Sequence, residues 1–409
     1  MKVIASPASL PRALQMGVIA TLLGLMAINL QAKPTWTPLF DGKTLEGWRQ
    51  LGGKAKYQVE GDTIVGTSVP NTPNSFLCTL KHYGDFVLQY EFKIDGRLNS
   101  GVQIRSHSLP EYQNGRVHGY QIEIDPDMER KRLWTAGIYE EGRRGWLNDL
   151  QDNDAAREAF KPNQWNRIKV RAVGDSIKTW LNGVPAANLV DSMTLSGFIG
   201  LQVHGVGNRT EPLQVAWRKL RIKELGQQVW KPLFDGKTLD GWHALPGGKW
   251  EVADGVILGT SLQSDPRHGL LVSNERFKDF TVRLKFKVVK GCSGFYFRAD
   301  KVNGNVGVHG FQAEIDPSFE TGGLYETGGR AWVVQPPEGI KKWYRPGEWT
   351  DMSVSAHGRR IVVHINGRQT AELKNDPGRT EGHLGLQMHG GQDMHVEFKD
   401  IGLMAPEQP

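Results

Sequence analysis

Pro38–Trp48 reads PLFDGKTLEGW and Pro232–Trp242 reads PLFDGKTLDGW, with Glu46 replaced by Asp240 as the only change. The two copies lie 232 − 38 = 194 positions apart. Four further pairs follow in the same order. NSGVQIR (Asn99–Arg105) answers CSGFYFR (Cys292–Arg298), and HGYQIEIDP (His118–Pro126) answers HGFQAEIDP (His309–Pro317). TAGIYEEG (Thr135–Gly142) answers TGGLYETG (Thr321–Gly328), and GFIGLQVHG (Gly197–Gly205) answers GHLGLQMHG (Gly382–Gly390). Repeats shorter than about fifty residues build solenoids and propellers. A period of this length instead gives each copy enough chain to bury a core of its own. Two tandem domains are therefore expected, over 34–226 and 227–405, joined by a short junction that favours packing over free swinging.

The local pattern is that of strands. Phe86, Leu88, Tyr90, Phe92 and Ile94 alternate with polar residues, as do Phe280, Val282, Leu284, Phe286 and Val288 in the second copy. Ile177–Gly183 reads as the second arm of a hairpin ending in an Asn-Gly turn. Helical periodicity is confined to Asp152–Phe160, which the second copy lacks. Two all-β sandwiches are the architecture this pattern predicts.

Residues 1–32 carry Lys2 and Arg12 ahead of a short uncharged apolar run, the design of a Sec-type signal peptide. A bacterial periplasmic or secreted product is expected, with no membrane attachment after cleavage. Removing those two basic residues leaves (50 − 2) − 44 = +4, too small and too evenly spread along the sequence to argue for nucleic acid. Cys78 and Cys292 fall at non-equivalent positions, Cys292 where the first copy has Asn99, so both are expected to be free thiols.

Alternation applied to the shared motifs gathers polar groups on one face. Val102 and Ile104 turn inward and leave Gln103 and Arg105 outside; Tyr120, Ile122 and Ile124 leave Gln121, Glu123 and Asp125; Leu201 and Val203 leave Gln202 and His204. The second copy repeats the set with Arg298, Gln312, Glu314, Asp316 and His389. A solvated face has no need to keep the same order of Gln, Glu, Asp and His in two copies, so a binding or catalytic face is expected. The loop TAGIYEEGRRGWL adds Tyr139, Arg143, Arg144 and Trp146, with Tyr325 and Trp332 as counterparts but Gly329 in place of Arg143. Arg forks grip oxygens and aromatic rings stack on sugars. Asp125, Asp127 and Glu129 are spaced so that a calcium ion is conceivable. No other cofactor or metal motif is present.

Together these motifs resemble the 3-keto-disaccharide hydrolase family, over nearly all of the chain after the leader. The resemblance implies concanavalin A-like jelly-roll sandwiches and cleavage of glycosides already oxidised to a ketone at C3. It also implies a base near C2, donors for the C3 oxygen and an acid for the leaving group. Glu123 is assigned as base, His204 as acid and Arg105 as the holder of the ketone oxygen. Gln121, Asp125, Tyr139, Arg143, Arg144 and Gln202 would bind hydroxyls, with Trp146 as a stacking wall. One departure is visible: relatives often place Glu before Gln in this strand, and here Gln121 precedes Glu123. The expected partner is a 3-keto sugar or glycan. A non-catalytic tandem lectin is the alternative on the same fold, and a third arrangement has the first copy catalytic and the second binding or structural.

Overall fold

The computed structural model describes residues 34–127 and 132–405. The signal-peptide assignment therefore lies outside the described residues, as does Glu129. Among the described residues no helix is long and apolar enough to cross a membrane. Residues 35–405 form one unit by their contacts, and each repeat within it builds two antiparallel sheets.

In the first module the seven-stranded sheet runs Gly145–Asn148, Ile138–Glu141, His118–Ile124, Ser100–His107, Phe198–Val203, Ser75–Thr79, Trp48–Gly52. The facing sheet is eight-stranded, with Ser176–Leu181, Asn166–Val173, Asp85–Ile94 and Gln214–Gly226 adjacent at its centre. Alternation predicted its inner face correctly: Phe86, Leu88, Tyr90 and Phe92 are at most 1 % exposed. They pack against Val102, Ile104, Tyr120, Ile122 and Leu201 of the seven-stranded sheet. The second module repeats the architecture, with Phe280, Val282, Leu284 and Phe286 in the same role. The helix expected within Asp152–Phe160 is Asp154–Glu158, capped by Asn153, whose side chain accepts from Ala156 N–H.

The most closely repeated motif is structural. Asp41 Oδ1 accepts from the amides of Lys43 and Thr44, both at 2.7 Å, closing the turn that lets Trp48 Nε1 donate to Leu39 O at 3.0 Å. Asp235 and Trp242 do the same in the second module.

The modules pack through polar contacts at the edge of the first and the outer face of the second. Asp175 accepts from Thr281 Oγ1 at 2.6 Å and from Ser355. Arg360 donates to Asn188. Arg144 donates to Gly367 O, and Asp191 lies 3.7 Å from His364 Nε2. Cys78 and Cys292 are free thiols.

Candidate active site

The outer face of the seven-stranded sheet in the first module opens into a cavity of about 880 Å3. Strand His118–Ile124 and the residues after it supply Gln121, Glu123 and Asp125; Ile138–Glu141 supplies Tyr139 and Glu141. Trp146, Gln202 and His204 also line the cavity; Gln121, Glu123, Asp125, Gln202 and His204 were foreseen from alternation, and Tyr139 and Trp146 from the loop motif.

Glu123 is the electrostatic centre. It is 4 % exposed, accepting from Asn99 Nδ2 at 2.7 Å and Gln121 Nε2 at 2.8 Å. A relay stands behind it: Ser106 Oγ donates to Gln103 Oε1, and Gln103 Nε2 donates to Gln121 Oε1 at 2.6 Å. Every amide in this line therefore directs a donor toward the carboxyl. Burial nevertheless pushes Glu123 up to about 7, and nearby Asp125 adds to the rise. Gly101 is required beneath the relay, because a Cβ there would stand 2.5 Å from the Gln121 side chain; Gly294 and Gln312 repeat the relation in the second module.

Around Glu123 the polar groups are held but reachable. Arg132 Nε donates to Asp125 Oδ2 at 2.6 Å, and its guanidinium lies over Trp134, which meets Trp146 edge-on. Tyr139 packs edge-on against Trp146, with ring centroids 5.4 Å apart. Glu141 accepts from Arg116. Gln202 Oε1 is buried with no hydrogen-bond partner among the described residues, an acceptor available to a hydroxyl. His204 is exposed at the rim; its Nδ1 pairs with Gly205 O at 2.8 Å, and its Nε2 has no hydrogen-bond partner among the described residues.

Three assigned residues are not in this cavity. Arg105 is fully buried: it donates to Gly84 O, Gly174 O and Asp85 Oδ1, the last at 2.8 Å. The cause is a bulge. Arg105 has φ +46°, and pairing with the neighbouring strand jumps from Ile104 to His107, so alternation fails at this position. Arg298, at φ +48°, repeats the bulge and bonds to the carbonyls of Lys278 and Arg379. Arg143 and Arg144 are also diverted. Both pair with buried Glu140; Arg143 continues to Thr194, and Arg144 to Asp191 and the second module.

Conversely, the cavity is lined by residues not foreseen: Asn74, Arg97, Asn99, Arg116, Arg132, Glu141 and Arg209. Their signal lay in differences between copies. Where the first module has Asn74, Asn99, Arg116 and Glu141, the second has His268, Cys292, Gly307 and Thr327. Asp125 to Thr135 spans ten positions and carries Arg132, whereas Asp316 to Thr321 spans five.

The second module keeps the framework with other neighbours. Burial pushes Glu314 up to about 8, with Gln312 Nε2 donating to it at 2.9 Å. Cys292 turns its thiol to Asp316 at 3.1 Å instead of serving the glutamate as Asn99 does. His389 stacks edge-on with His268, which burial lowers to about 4, and Tyr325 retains its contact with Trp332. Among the described residues no group of three or more His, Cys, Asp or Glu is arranged to hold a metal ion.

The 3-keto-α-glucoside 1,2-lyase-like domain model matches residues 35–223 and again 229–404. The chain belongs to this family. Its two tandem family domains coincide with the two sandwiches, and a carbohydrate-related function follows from the membership. Similar solved structures include a provisionally assigned glycosyl hydrolase from Parabacteroides distasonis ATCC 8503, 20 % identical, covering 44 % of this chain and 94 % of its own, with TM-score 0.34. The carbohydrate-binding module CBM66 from Bacillus subtilis is 17 % identical over 40 % of this chain and 96 % of its own, with TM-score 0.33. No curated protein matches the sequence.

Proposed function

We propose that the first module cleaves 3-keto-glycosides by elimination across C1–C2. The observation that carries this is Glu123: a buried carboxyl raised to about 7 at the wall of a sugar-sized cavity. A base tuned near neutrality suits removal of a proton made acidic by an adjacent ketone.

In the proposed sequence Glu123 takes the C2 proton, and the electron pair moves into the C2–C3 bond as the ketone becomes an enolate. The pair then returns to form the C1–C2 double bond as the C1–O bond breaks, with a proton from His204 Nε2 going to the leaving oxygen. Addition of water, hydroxyl to C1 and proton back to C2, makes the net change hydrolysis. Arg105 is withdrawn from the oxyanion role because its guanidinium is buried elsewhere. Arg132 takes that role: its fork stands beside Asp125 at the cavity wall. Tyr139 and Trp146 offer ring surface, and Gln202 an acceptor, to the sugar.

The decisive test is turnover of a nitrophenyl 3-keto-glucoside beside its unoxidised parent. Release from the keto compound alone is expected. Equal cleavage of both would exclude a mechanism that needs the C3 ketone.

A further inference from the structure

The scatter of basic residues along the sequence does not survive folding. On the eight-stranded sheet of the first module, period-two alternation turns Arg167, Lys169 and Arg171 of one strand outward. Lys178 and Trp180 stand on the next strand, and Arg218 and Arg221 on Gln214–Gly226. Arg167 is 64 % exposed in its side chain. Arg171 lies directly across from Lys178, a like-charge pairing that costs stability on an antiparallel sheet.

Within this face runs a groove of about 610 Å3, bounded by Trp165 and Trp180 and lined by Lys161, Arg167, Lys169 and Arg218 with Gln89, Glu91 and Asn182; Glu91 pairs with Arg167 and Arg218, so four cations face a single carboxylate. Arg218 stacks on Trp165 at 4.0 Å and Lys169 on Trp180 at 4.6 Å.

The sister sheet supplies the control. At the positions of Arg167, Lys169, Arg171, Lys178 and Trp180 it has Asp351, Ser353, Ser355, Val362 and His364. Ser355, Val362 and His364 are buried where the first module docks. At these five positions the second module keeps no cation and no indole, although Arg283, Lys285, Lys287 and Lys399 stand outward elsewhere on its sheet; the first module has both in one groove.

We propose that this open face is a second carbohydrate site, separate from the Glu123 cavity, which docks an acidic polysaccharide along the Trp165–Trp180 groove. Sugar rings stack on the indoles while uronate or sulfate groups meet the Arg and Lys side chains. Charge complementarity selects a polyanion. Membership of a carbohydrate-related family favours a polysaccharide over a phosphodiester backbone as that polyanion.

Affinity electrophoresis of the full chain through gels containing polygalacturonate tests this, with unsubstituted dextran and a single-stranded DNA oligonucleotide as comparisons. Retardation by polygalacturonate and not dextran is expected, weakening with salt. Trp180→Ala and the double change Lys161→Glu with Lys169→Glu should each weaken it tenfold or more at unchanged Tm, while Glu123→Gln binds as the native chain does. Retardation no stronger than in dextran, or unaffected by either variant, would overturn the proposal. Equal or tighter binding of DNA would overturn it in favour of a nucleic-acid surface. Because Glu123→Gln abolishes the proposed chemistry but not this binding, the two assignments fail independently.

Discussion

Glu123 ties the proposed chemistry to the stability of the fold, and the tie has a measurable sign. Its carboxyl moves from an ordinary 4.5 to about 7 on folding, burial being the main cause. Between those values the folded chain holds a proton that the unfolded chain releases, so unfolding free energy falls as pH rises. The stabilisation is complete below about pH 4.5 and is lost as pH rises through about 7. At 1.36 kcal/mol per pH unit the full span is about 3 kcal/mol. Glu123→Gln removes the titration. It also leaves the Asn99 and Gln121 donors facing a group with one acceptor oxygen, a cost that does not vary with pH. Urea unfolding of both proteins from pH 5 to pH 8, compared at each pH, cancels Glu314 and every other shared group. The variant should gain about 2–3 kcal/mol relative to the native chain over that range, while turnover falls about a hundredfold or more. A difference that stays flat, or that favours the native chain as pH rises, would show that Glu123 is not held in the proton-retaining environment described.

Turnover of the 3-keto substrate should rise with pH through a limb near 7 that Glu314→Gln leaves in place; a profile without that limb would remove Glu123 as the base. Arg105→Met leaves Asp85 buried without its guanidinium and should cost about 3 kcal/mol in urea unfolding, with the KM of the folded enzyme unchanged. A raised KM at full stability would return Arg105 to the cavity. Gly101→Ala should push Gln121 off Glu123 and lower turnover, whereas Gly294→Ala should leave it intact; equal effects on turnover would place the chemistry in both modules. Arg144→Ala breaks a buried ion pair and an inter-module hydrogen bond, so calorimetry should show a destabilisation of about 3 kcal/mol, and an unchanged transition would mark the contact as incidental.

Much of the cavity was legible because strand periodicity is a local property. Once Tyr120, Ile122 and Ile124 are inward, Gln121 and Glu123 must face out, and the same holds for Gln202 beside Leu201 and Val203. Residues kept in both copies were, however, of two kinds. Glu123 and Gln121 are kept with the cavity, but Arg105, Arg298 and the Asp41–Trp48 turn are kept because both sandwiches need them to close. Repetition within one chain cannot separate these, since each copy must fold whether or not it reacts. The arginines around the cavity were missed for the converse reason: Arg116, Arg132 and Arg209 belong to the first copy alone.

The sequence by itself determined the duplication, the all-β class, the inward face of each long strand and the outward face of Glu123, because the first follows from repetition along the chain and the rest from spacing along single strands. Tertiary structure alone decided where the arginines went. A one-residue bulge turned Arg105 away from the cavity, Glu140 and Asp191 drew Arg144 into the module interface, and a loop brought Arg132 beside Asp125. Those outcomes depend on which buried carboxylates and carbonyls lie within reach of a long cationic side chain, and residues distant in sequence supply them.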